Sequence, residues 1–239
     1  MHVRRTSSQA RVALALLLRR VEYGESDLVI TLLTDSIGRV SALARGARKS
    51  VKRFGGALEP MHTLRVSYDD RSGAELVVLR EAKLERARPF LVTNLERMQA
   101  AGQALNWVRK AAPPRTPEPE VWAAMETFLD QLAAVDDPVS PRTRLAATGL
   151  RLLAAFGWGI DFERCVSCGK LAGPAQSGAV DAARGGLVCR ACGGARRRLS
   201  ASERALLSAA ASGGTLDDDS AILALELVEQ ALKAHGGID

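Results

Sequence analysis

Residues 28–44 read LVITLLTDSIGRVSALA, and this stretch decides the fold of the first part of the chain. Leu28–Thr34 is rich in aliphatic and β-branched residues, which favour a strand. Arg39–Ala44 alternates polar with apolar side chains, the period of a strand that buries one face. Between them, Asp35-Ser-Ile-Gly38 has the composition of a tight turn. The stretch therefore predicts two neighbouring antiparallel strands.

Three more segments of the same kind flank this pair. Apolar runs lie at Arg11–Tyr23, Met61–Tyr68 and Ala74–Leu84, and the loop Asp69–Gly73 between the last two has hairpin chemistry. Five short strands without an intervening helical period predict a small closed barrel. The five-stranded OB-fold is the leading candidate because it closes a sheet with few residues.

After Pro89 the pattern becomes helical, so the fold class predicted for the whole chain is α+β with more than one domain. Thr93 and Glu96 fit a capping box that opens a helix running toward Lys110. Further helices are predicted over Glu120–Val135, from the N-cap Ser140 to Phe156, after the capping box Ser200-x-x-Glu203, and from Ser220 onward. The predicted division is an OB-fold domain over residues 1–84 and a helical bundle over 85–239.

The four cysteines form two short pairs, Cys165-Val-Ser-Cys168 and Cys189-Arg-Ala-Cys192. Two Cys-x-x-Cys turns at this spacing are typical of one tetrahedral zinc site. Four thiolates fill the coordination sphere of zinc, so the predicted role is structural, in a zinc knuckle inserted into the helical bundle at about residues 161–195.

Two other interpretations of these cysteines remain open. Two disulfides are disfavoured because the first twenty residues lack the features of a signal peptide, and we therefore expect a cytoplasmic protein. A redox dithiol is disfavoured because it would need one pair alone. No stretch has the length and apolarity of a membrane span, so no membrane partner is expected.

The chain has a formal net charge of +6, and its cations are unevenly placed. Residues 36–58, the basic segment, contain no acidic residue. The cations of this segment are Arg39, Arg45, Arg48, Lys49, Lys52 and Arg53. Cationic side chains beside flexible glycines predict contact with a phosphate backbone, although a solvated loop is the alternative. Phe54 lies in the same segment and is predicted to stack on a base.

Arg196, Arg197 and Arg198, together with Arg190, form a second basic cluster that borders the second cysteine pair. It is predicted to add to DNA binding, with solvated charge at the start of a helix as the alternative. The sequence offers little for catalysis. It has three histidines, His2, His62 and His235, and no pattern of a nucleophile with a base. The prediction is a protein that is not an enzyme.

The order of barrel, helices, four-cysteine knuckle and helices resembles the RecO family of bacterial DNA repair proteins. Local sequence supports the resemblance. The similar segments are Leu14–Leu17, Tyr23-Gly-Glu-Ser-Asp27, Leu32-Leu-Thr34, Gly38-Arg-Val40, Gly46-Ala-Arg-Lys-Ser50, Gly56-Ala-Leu-Glu-Pro60 and Gly157-Trp158.

The resemblance implies a recombination mediator that binds single- and double-stranded DNA and anneals complementary strands without ATP. It also implies action with RecR, and in some cases RecF, to load RecA onto DNA coated by single-strand-binding protein. Such a protein is expected in the cytoplasm, associated with the nucleoid. The alternative function is an adaptor that contacts proteins through a zinc-stabilised helical domain, with DNA binding only incidental.

Overall fold

The first part of the chain forms a closed five-stranded barrel in the structure, a computed structural model that describes residues 10–70 and 74–237. Its elements are β1 (Arg11–Tyr23), β2 (Asp27–Thr34), β3 (Gly38–Ala44), the short helix α1 (Val51–Phe54), β4 (Thr63–Asp69) and β5 (Leu76–Arg86). The strand order is β1-β2-β3-β5-β4, and the parallel pairing of β3 with β5 closes the barrel. The predicted OB-fold is confirmed. The predicted hairpin loop between β4 and β5 includes residues 71–73, which lie outside the described residues.

β1 is long enough to serve two neighbours. Its first half pairs with β4, with Ala15 opposite Leu64, and its second half pairs with β2, with Val21 opposite Val29. The register shifts between Leu17 and Arg19, as at a β-bulge. Beyond this shift, residues 19–23 of β1 are all exposed, whereas Ile30 and Leu28 on the opposite strand are buried in the barrel core.

Residues 112–122 return to the barrel and belong to its compact unit, which otherwise comprises the chain up to Arg88. The Nε of Arg39 donates to the carbonyl of Ala112 at 2.6 Å. The approach is close at Gly38, where φ is +70° and a Cβ would lie 1.8 Å from the carbonyl oxygen of Thr116. Only glycine fits there, because a side chain would meet both a strained backbone and an occupied space.

The second unit comprises Pro89–Ala111 and the chain from Ala123 onward. The helices of the chain after the barrel are α2 (Leu95–Ala111), α3 (Pro119–Ala133), α4 (Pro141–Ala155), α5 (Ala201–Ala211) and α6 (Asp218–Gly236). α4 packs against α2, α5 and α6, so the helices before and after the cysteines form one bundle, as predicted. Gly149 on α4 permits this approach, since a Cβ there would lie 2.9 Å from Val228 and 3.1 Å from Trp107.

Two of the predicted helix starts are confirmed. The side chain of Ser140 accepts from the N–H of Thr143, and proline follows Ser140 at the first helical position. Ser200 and Glu203 form a complete capping box at the start of α5. Each satisfies N–H groups that the first turn of a helix leaves without an intrahelical acceptor.

Two other predicted starts are wrong. The side chain of Asn94 accepts from the N–H of Arg97 at 3.0 Å and opens α2, whereas the hydroxyl of the predicted cap Thr93 donates back into the preceding 3-10 turn. The side chain of Asp217 caps α6 by accepting from the N–H of Ser220 at 2.7 Å. Asparagine and aspartate are among the best caps. Asn94 lies one residue after the predicted cap Thr93, and Asp217 lies three residues before the predicted cap Ser220.

Residues 161–199, the cysteine module, lie between α4 and α5. They form a four-stranded sheet of β6 (Asp161–Cys165), β7 (Gly178–Asp181), β8 (Gly186–Leu187) and β9 (Arg197–Leu199), in the order β6-β8-β7-β9. The strands are short and few of their residues are buried, so the module has only a small apolar core of its own. Among the described residues, no helix is long and apolar enough to cross a membrane.

Candidate metal centre and nucleic-acid interface

The cysteine module brings the four predicted ligands together. Their Sγ atoms all lie within 4.8 Å of one another, and those of Cys168 and Cys189 are 3.8 Å apart. A tetrahedral site with Zn–S bonds of about 2.3 Å places its sulfurs about 3.8 Å apart, whereas a disulfide bond measures about 2.05 Å. All four cysteines are free. The cluster could hold a metal ion, and its spacing does not fit disulfides.

Two tight turns aim these sulfurs inward. The N–H of Gly169 donates to the carbonyl of Cys165 at 2.8 Å, and the N–H of Gly194 donates to that of Cys189 at 3.0 Å. Both glycines have positive φ, +71° and +67°, a conformation in which other residues are strained. The turns therefore fix both cysteine pairs through the backbone.

Hydrogen bonding shifts the pKa values of two of the four thiols in opposite directions. The N–H of Cys189 donates to the Sγ of Cys165, and this and further backbone N–H groups lower the pKa of Cys165 to about 6. Hydrogen bonds with the Cys189 and Cys168 thiols raise the pKa of Cys192 to about 12. Four thiolates at this separation repel one another, and a divalent cation is the group that would allow all four to ionise.

Three cations of the basic segment are available to a ligand. Arg45, Lys49 and Lys52 are exposed, and no hydrogen bond or ion pair from their side chains is found within the described ranges. They lie on the connection from β3 to α1 and on α1 itself. These three side chains are therefore the exposed cations of the basic segment that have no such contact within the described ranges.

The other cations of the segment have structural contacts. Arg48 forms an ion pair with Glu22 at 3.2 Å. The guanidinium of Arg53 donates to the carbonyl of Arg45 at 2.7 Å and to the hydroxyl of Ser50 at 3.2 Å. Together with the contact of Arg39 described above, these bonds hold the segment in one conformation. The six predicted DNA contacts thus divide into three exposed cations without such contacts and three whose contacts shape the segment, although Arg48 and Arg53 are also exposed.

The predicted stacking role of Phe54 is wrong. Its side chain is 2% exposed and packs into the barrel core with residues such as Leu28 and Leu58. The guanidinium of Arg53 lies 5.0 Å from the centre of its ring. Phe54 is the apolar anchor of α1, and a buried ring cannot receive a base.

The comparisons with known proteins cover most of the chain. A family model described as "Recombination protein O N terminal" matches residues 12–88, and one described as "Recombination protein O C terminal" matches residues 92–238. The chain belongs to the RecO family. The resemblance noted in the sequence is confirmed, and membership assigns this RecO chain to DNA repair and recombination.

Individual RecO proteins agree with this assignment. The protein named "DNA repair protein RecO" from Anaeromyxobacter sp. strain K is 40% identical over 177 residues, which cover 73% of this chain and 67% of that protein. The RecO proteins of Myxococcus xanthus and Geobacter sulfurreducens are 37% and 33% identical, over 75% and 78% of this chain and 71% and 74% of their own lengths.

The second basic cluster of this RecO chain lies at β9, the last strand of the cysteine module. Arg196, Arg197 and Arg198 are all exposed. Arg197 lies 3.5 Å from a carboxylate oxygen of Glu226, and Arg198 donates to the hydroxyl of Ser177 at 2.9 Å. Of the three, Arg196 has no such contact within the described residues.

Sequence reasoning missed Arg204, which this RecO chain buries to 6% exposure on α5. Its guanidinium donates to carbonyl oxygens of the cysteine module, those of Phe162, Ala172, Gly173 and Gln176. A signal was present in the sequence. Arg204 falls on the helix face that buries Leu207 and Ala210, where a cation needs polar partners.

Proposed function

We propose that this RecO-family protein binds single- and double-stranded DNA through the basic segment and anneals complementary strands without ATP. The observation that carries the proposal is the set of three exposed cations, Arg45, Lys49 and Lys52. They lie on a connection held in one conformation by Arg48 and Arg53. Glycines at 46, 55 and 56 allow a nucleic-acid backbone to approach.

Annealing follows from electrostatics alone. Two strands repel through their phosphates, and a cation bound at each phosphate releases a condensed counterion to bulk solvent. A protein that neutralises phosphates of both strands lowers this repulsion, and base pairing then supplies the free energy. Neither step requires nucleotide hydrolysis. Arg196, Arg197 and Arg198 provide a second basic surface for the same purpose.

We propose further that Cys165, Cys168, Cys189 and Cys192 hold a structural zinc ion. The sulfur separation fits a tetrahedral site, and four thiolates leave no position for water. Zinc would cross-link two turns whose module buries little apolar surface. Its function is to maintain the module and, with it, the placement of the second basic cluster.

The partners proposed for this protein are those that the family resemblance implies. It acts with RecR, and in some cases RecF, to place RecA on DNA coated by single-strand-binding protein, in the cytoplasm at the nucleoid. The proposed division of labour assigns DNA binding to the barrel domain, residues 1–84, and the zinc knuckle to the helical domain, residues 85–239.

A strand-annealing assay without ATP tests the proposal. The variant Lys49→Glu/Lys52→Glu should anneal complementary oligonucleotides at least tenfold more slowly at low salt, because two phosphate contacts become repulsive. Arg142→Glu/Lys233→Glu carries the same change in net charge on exposed positions of α4 and α6, and it should anneal at the parent rate. Equal rates for the two variants would refute the assignment of the basic segment.

A second candidate function, the protein-contact adaptor, is favoured by one observation. Phe90, Val92 and Leu95 are 51%, 45% and 68% exposed and follow one another at the start of the second unit. Exposed apolar residues grouped in this way are typical of interaction sites. If the adaptor role dominates, Leu95→Lys should abolish repair in cells while Lys49→Glu/Lys52→Glu leaves repair intact. The DNA-binding proposal expects the reverse.

A further inference from the structure

Tyr23 is the exposed aromatic residue of the described part of the barrel. Its side chain is 61% exposed, whereas Tyr68 is 3% exposed and Phe54 is 2% exposed. It ends β1, next to the turn of the β1–β2 hairpin. A large exposed aromatic side chain at a hairpin tip gains nothing for the fold, so it is a candidate for binding.

Strand register shows what shares a face with Tyr23. Residues directly opposite one another in an antiparallel pair lie on the same face of a sheet. Val21, Val29 and Leu43 therefore form one row across β1, β2 and β3, and Arg19, Thr31 and Ser41 form the next. Tyr23 lies two residues from Val21, so it extends this outer face by one more row.

One end of this outer face is covered and the other is open. Residues 112–122 cover the end near Arg39, where a β-bridge joins Arg39 to Pro114. At the other end Val21 is 42% exposed and Tyr23 is 61% exposed. The open end is therefore an apolar strip that ends in an aromatic ring.

The open end adjoins the basic segment. Asp27 lies opposite Tyr23, and its carboxylate accepts from the N–H of Gly46 at 2.7 Å. The N–H of Arg48 donates to the carbonyl of Ser26 at 3.0 Å. Neighbouring strands are about 4.8 Å apart, so the backbone at Arg45, the residue after β3, lies two strand spacings or about 10 Å from that of Tyr23.

Two of the acidic residues next to Tyr23 already have partners, whereas Glu25 in the turn is exposed. Glu22 pairs with Arg48 at 3.2 Å, and Asp27 is bound by the N–H of Gly46. Glu22 also lies one residue from Tyr23, so it points to the opposite face of the strand. The outer face of the hairpin thus carries Val21 and Tyr23, together with Asp27, whose carboxylate is bound by the N–H of Gly46.

We propose that Tyr23 is a stacking platform for a base of single-stranded DNA, which lies across the open outer face of β1–β3 with its phosphates at Arg45, Lys49 and Lys52. This inference deepens the proposed function and rests on it. It assigns to Tyr23 the aromatic role predicted for Phe54. Stacking on an aromatic ring is tolerant of sequence because every base has a π-face, and in OB-folds strands 2 and 3 and the loop after strand 1 are the surface used for oligonucleotides.

Two DNA ligands of equal charge separate stacking from phosphate binding. Oligothymidine carries bases, and an abasic oligonucleotide of the same length carries only the sugar-phosphate backbone. Tyr23→Ala should weaken binding of oligothymidine by about tenfold and leave binding of the abasic strand unchanged. Tyr23→Phe should bind oligothymidine with the affinity of the parent, because stacking requires the ring and not the hydroxyl.

The variant Lys49→Gln/Lys52→Gln provides the contrast. It should lower the affinity for both ligands equally. It should also reduce the slope of log K against log salt concentration by about 1.4, or about 0.7 for each lost phosphate contact. Phe90→Ala removes an exposed aromatic residue elsewhere and should change neither ligand.

Several outcomes would overturn the inference. If Tyr23→Ala binds both DNA ligands with the affinity of the parent, Tyr23 has no stacking role. The same conclusion follows if the variant loses affinity for both ligands equally. If Tyr23→Ala no longer captures RecR but binds both DNA ligands like the parent, the outer face receives a protein instead. A parent protein that binds neither DNA would refute the proposed function itself, whereas parent binding with no difference between the ligands would refute only the role of Tyr23.

Discussion

The Nε of Arg204 donates to the carbonyl oxygen of Phe162 at 2.8 Å, and both residues are buried. Arg204 belongs to α5, and Phe162 belongs to β6 of the cysteine module. The same guanidinium donates to the carbonyls of Gly173 and Gln176 at 3.1 and 2.5 Å. A single cation from the helical bundle thus satisfies the backbone of two segments of the module.

Replacing Arg204 should therefore destabilise the cysteine module. Arg204→Met keeps the length and apolar stem but leaves buried carbonyls without donors, at a cost of about 2–4 kcal/mol in the free energy of unfolding. Urea denaturation measures the loss, and the rate of metal release to a chelator should rise with it. The exposed neighbour variant Arg197→Met should change neither quantity. Equal stability of the two variants would show that solvent replaces the guanidinium.

Metal removal should have a local effect. We expect one zinc ion per chain, and Cys168→Ser should reduce that content because three thiolates and a hydroxyl bind zinc less tightly. Protease cleavage within residues 161–199 should then accelerate, since a module with so small a core depends on its cross-link. Ser167→Ala alters a neighbouring side chain and should retain zinc. A parent protein that contains no zinc and resists cleavage would contradict this expectation.

Alanine substitutions at two glycines with a left-handed backbone should distinguish the cost of backbone strain from the cost of a steric collision. At Gly24 φ is +58° and a Cβ would have no atom within 4 Å, so Gly24→Ala should cost about 1 kcal/mol from backbone strain alone. Gly38→Ala adds a collision with the carbonyl of Thr116 and should cost at least about 2 kcal/mol more. It should also speed protease cleavage between residues 112 and 118. Equal costs would mean that this segment is not held against β3.

The ion pair of Asp137 with Arg144 should make stability depend on pH. Two hydrogen bonds at 2.8 and 2.9 Å from the guanidinium lower the pKa of Asp137, whose side chain is 9% exposed. A lowered pKa in the folded state adds stability at pH values above the unfolded value, about 3.9, and this stability is lost as pH falls through the folded pKa.

Asp137→Asn should accordingly be less stable than the parent at pH 7, by about 1–2 kcal/mol. The difference should remain constant down to about pH 5 and shrink below about pH 4, because the parent carboxylate then becomes protonated. Thermal unfolding across pH gives the curve. Arg144→Met removes the other partner, and its combination with Asp137→Asn should cost less than the sum of the two single changes. A difference that is independent of pH would exclude the charge as its source.

Local chemistry made the barrel and two helix starts predictable. Alternation at Arg39–Ala44 marks one buried face, and the Ser200 capping box needs only residues within one turn. The cysteine spacing likewise carries its own geometry. These features depend on neighbours in sequence, so the sequence is sufficient to predict them.

Features that depend on distant contacts were not predictable. Phe54 stands among cations and glycines, and only the folded barrel reveals that α1 inserts it into the core. Thr93 and Asn94 are adjacent residues that can both cap, and the 3-10 turn before them decides between the two. Arg204 sits on an apolar helix face, but its carbonyl acceptors lie 28 to 42 residues earlier in the chain.

The return of residues 112–122 to the barrel sets an order for biosynthesis. The contacts of Arg39 with Ala112 and of Gly38 with Thr116 join residues separated by more than seventy positions, with the whole of α2 between them. A ribosome adds about 5–20 residues per second, so the five strands emerge about 2–7 seconds before the end of the segment that completes their unit. During that interval the outer edge near β3 is uncovered, and nascent barrels on neighbouring ribosomes could meet there. Chaperone dependence of this protein is therefore expected to arise early in translation and to end once residue 122 has left the exit tunnel.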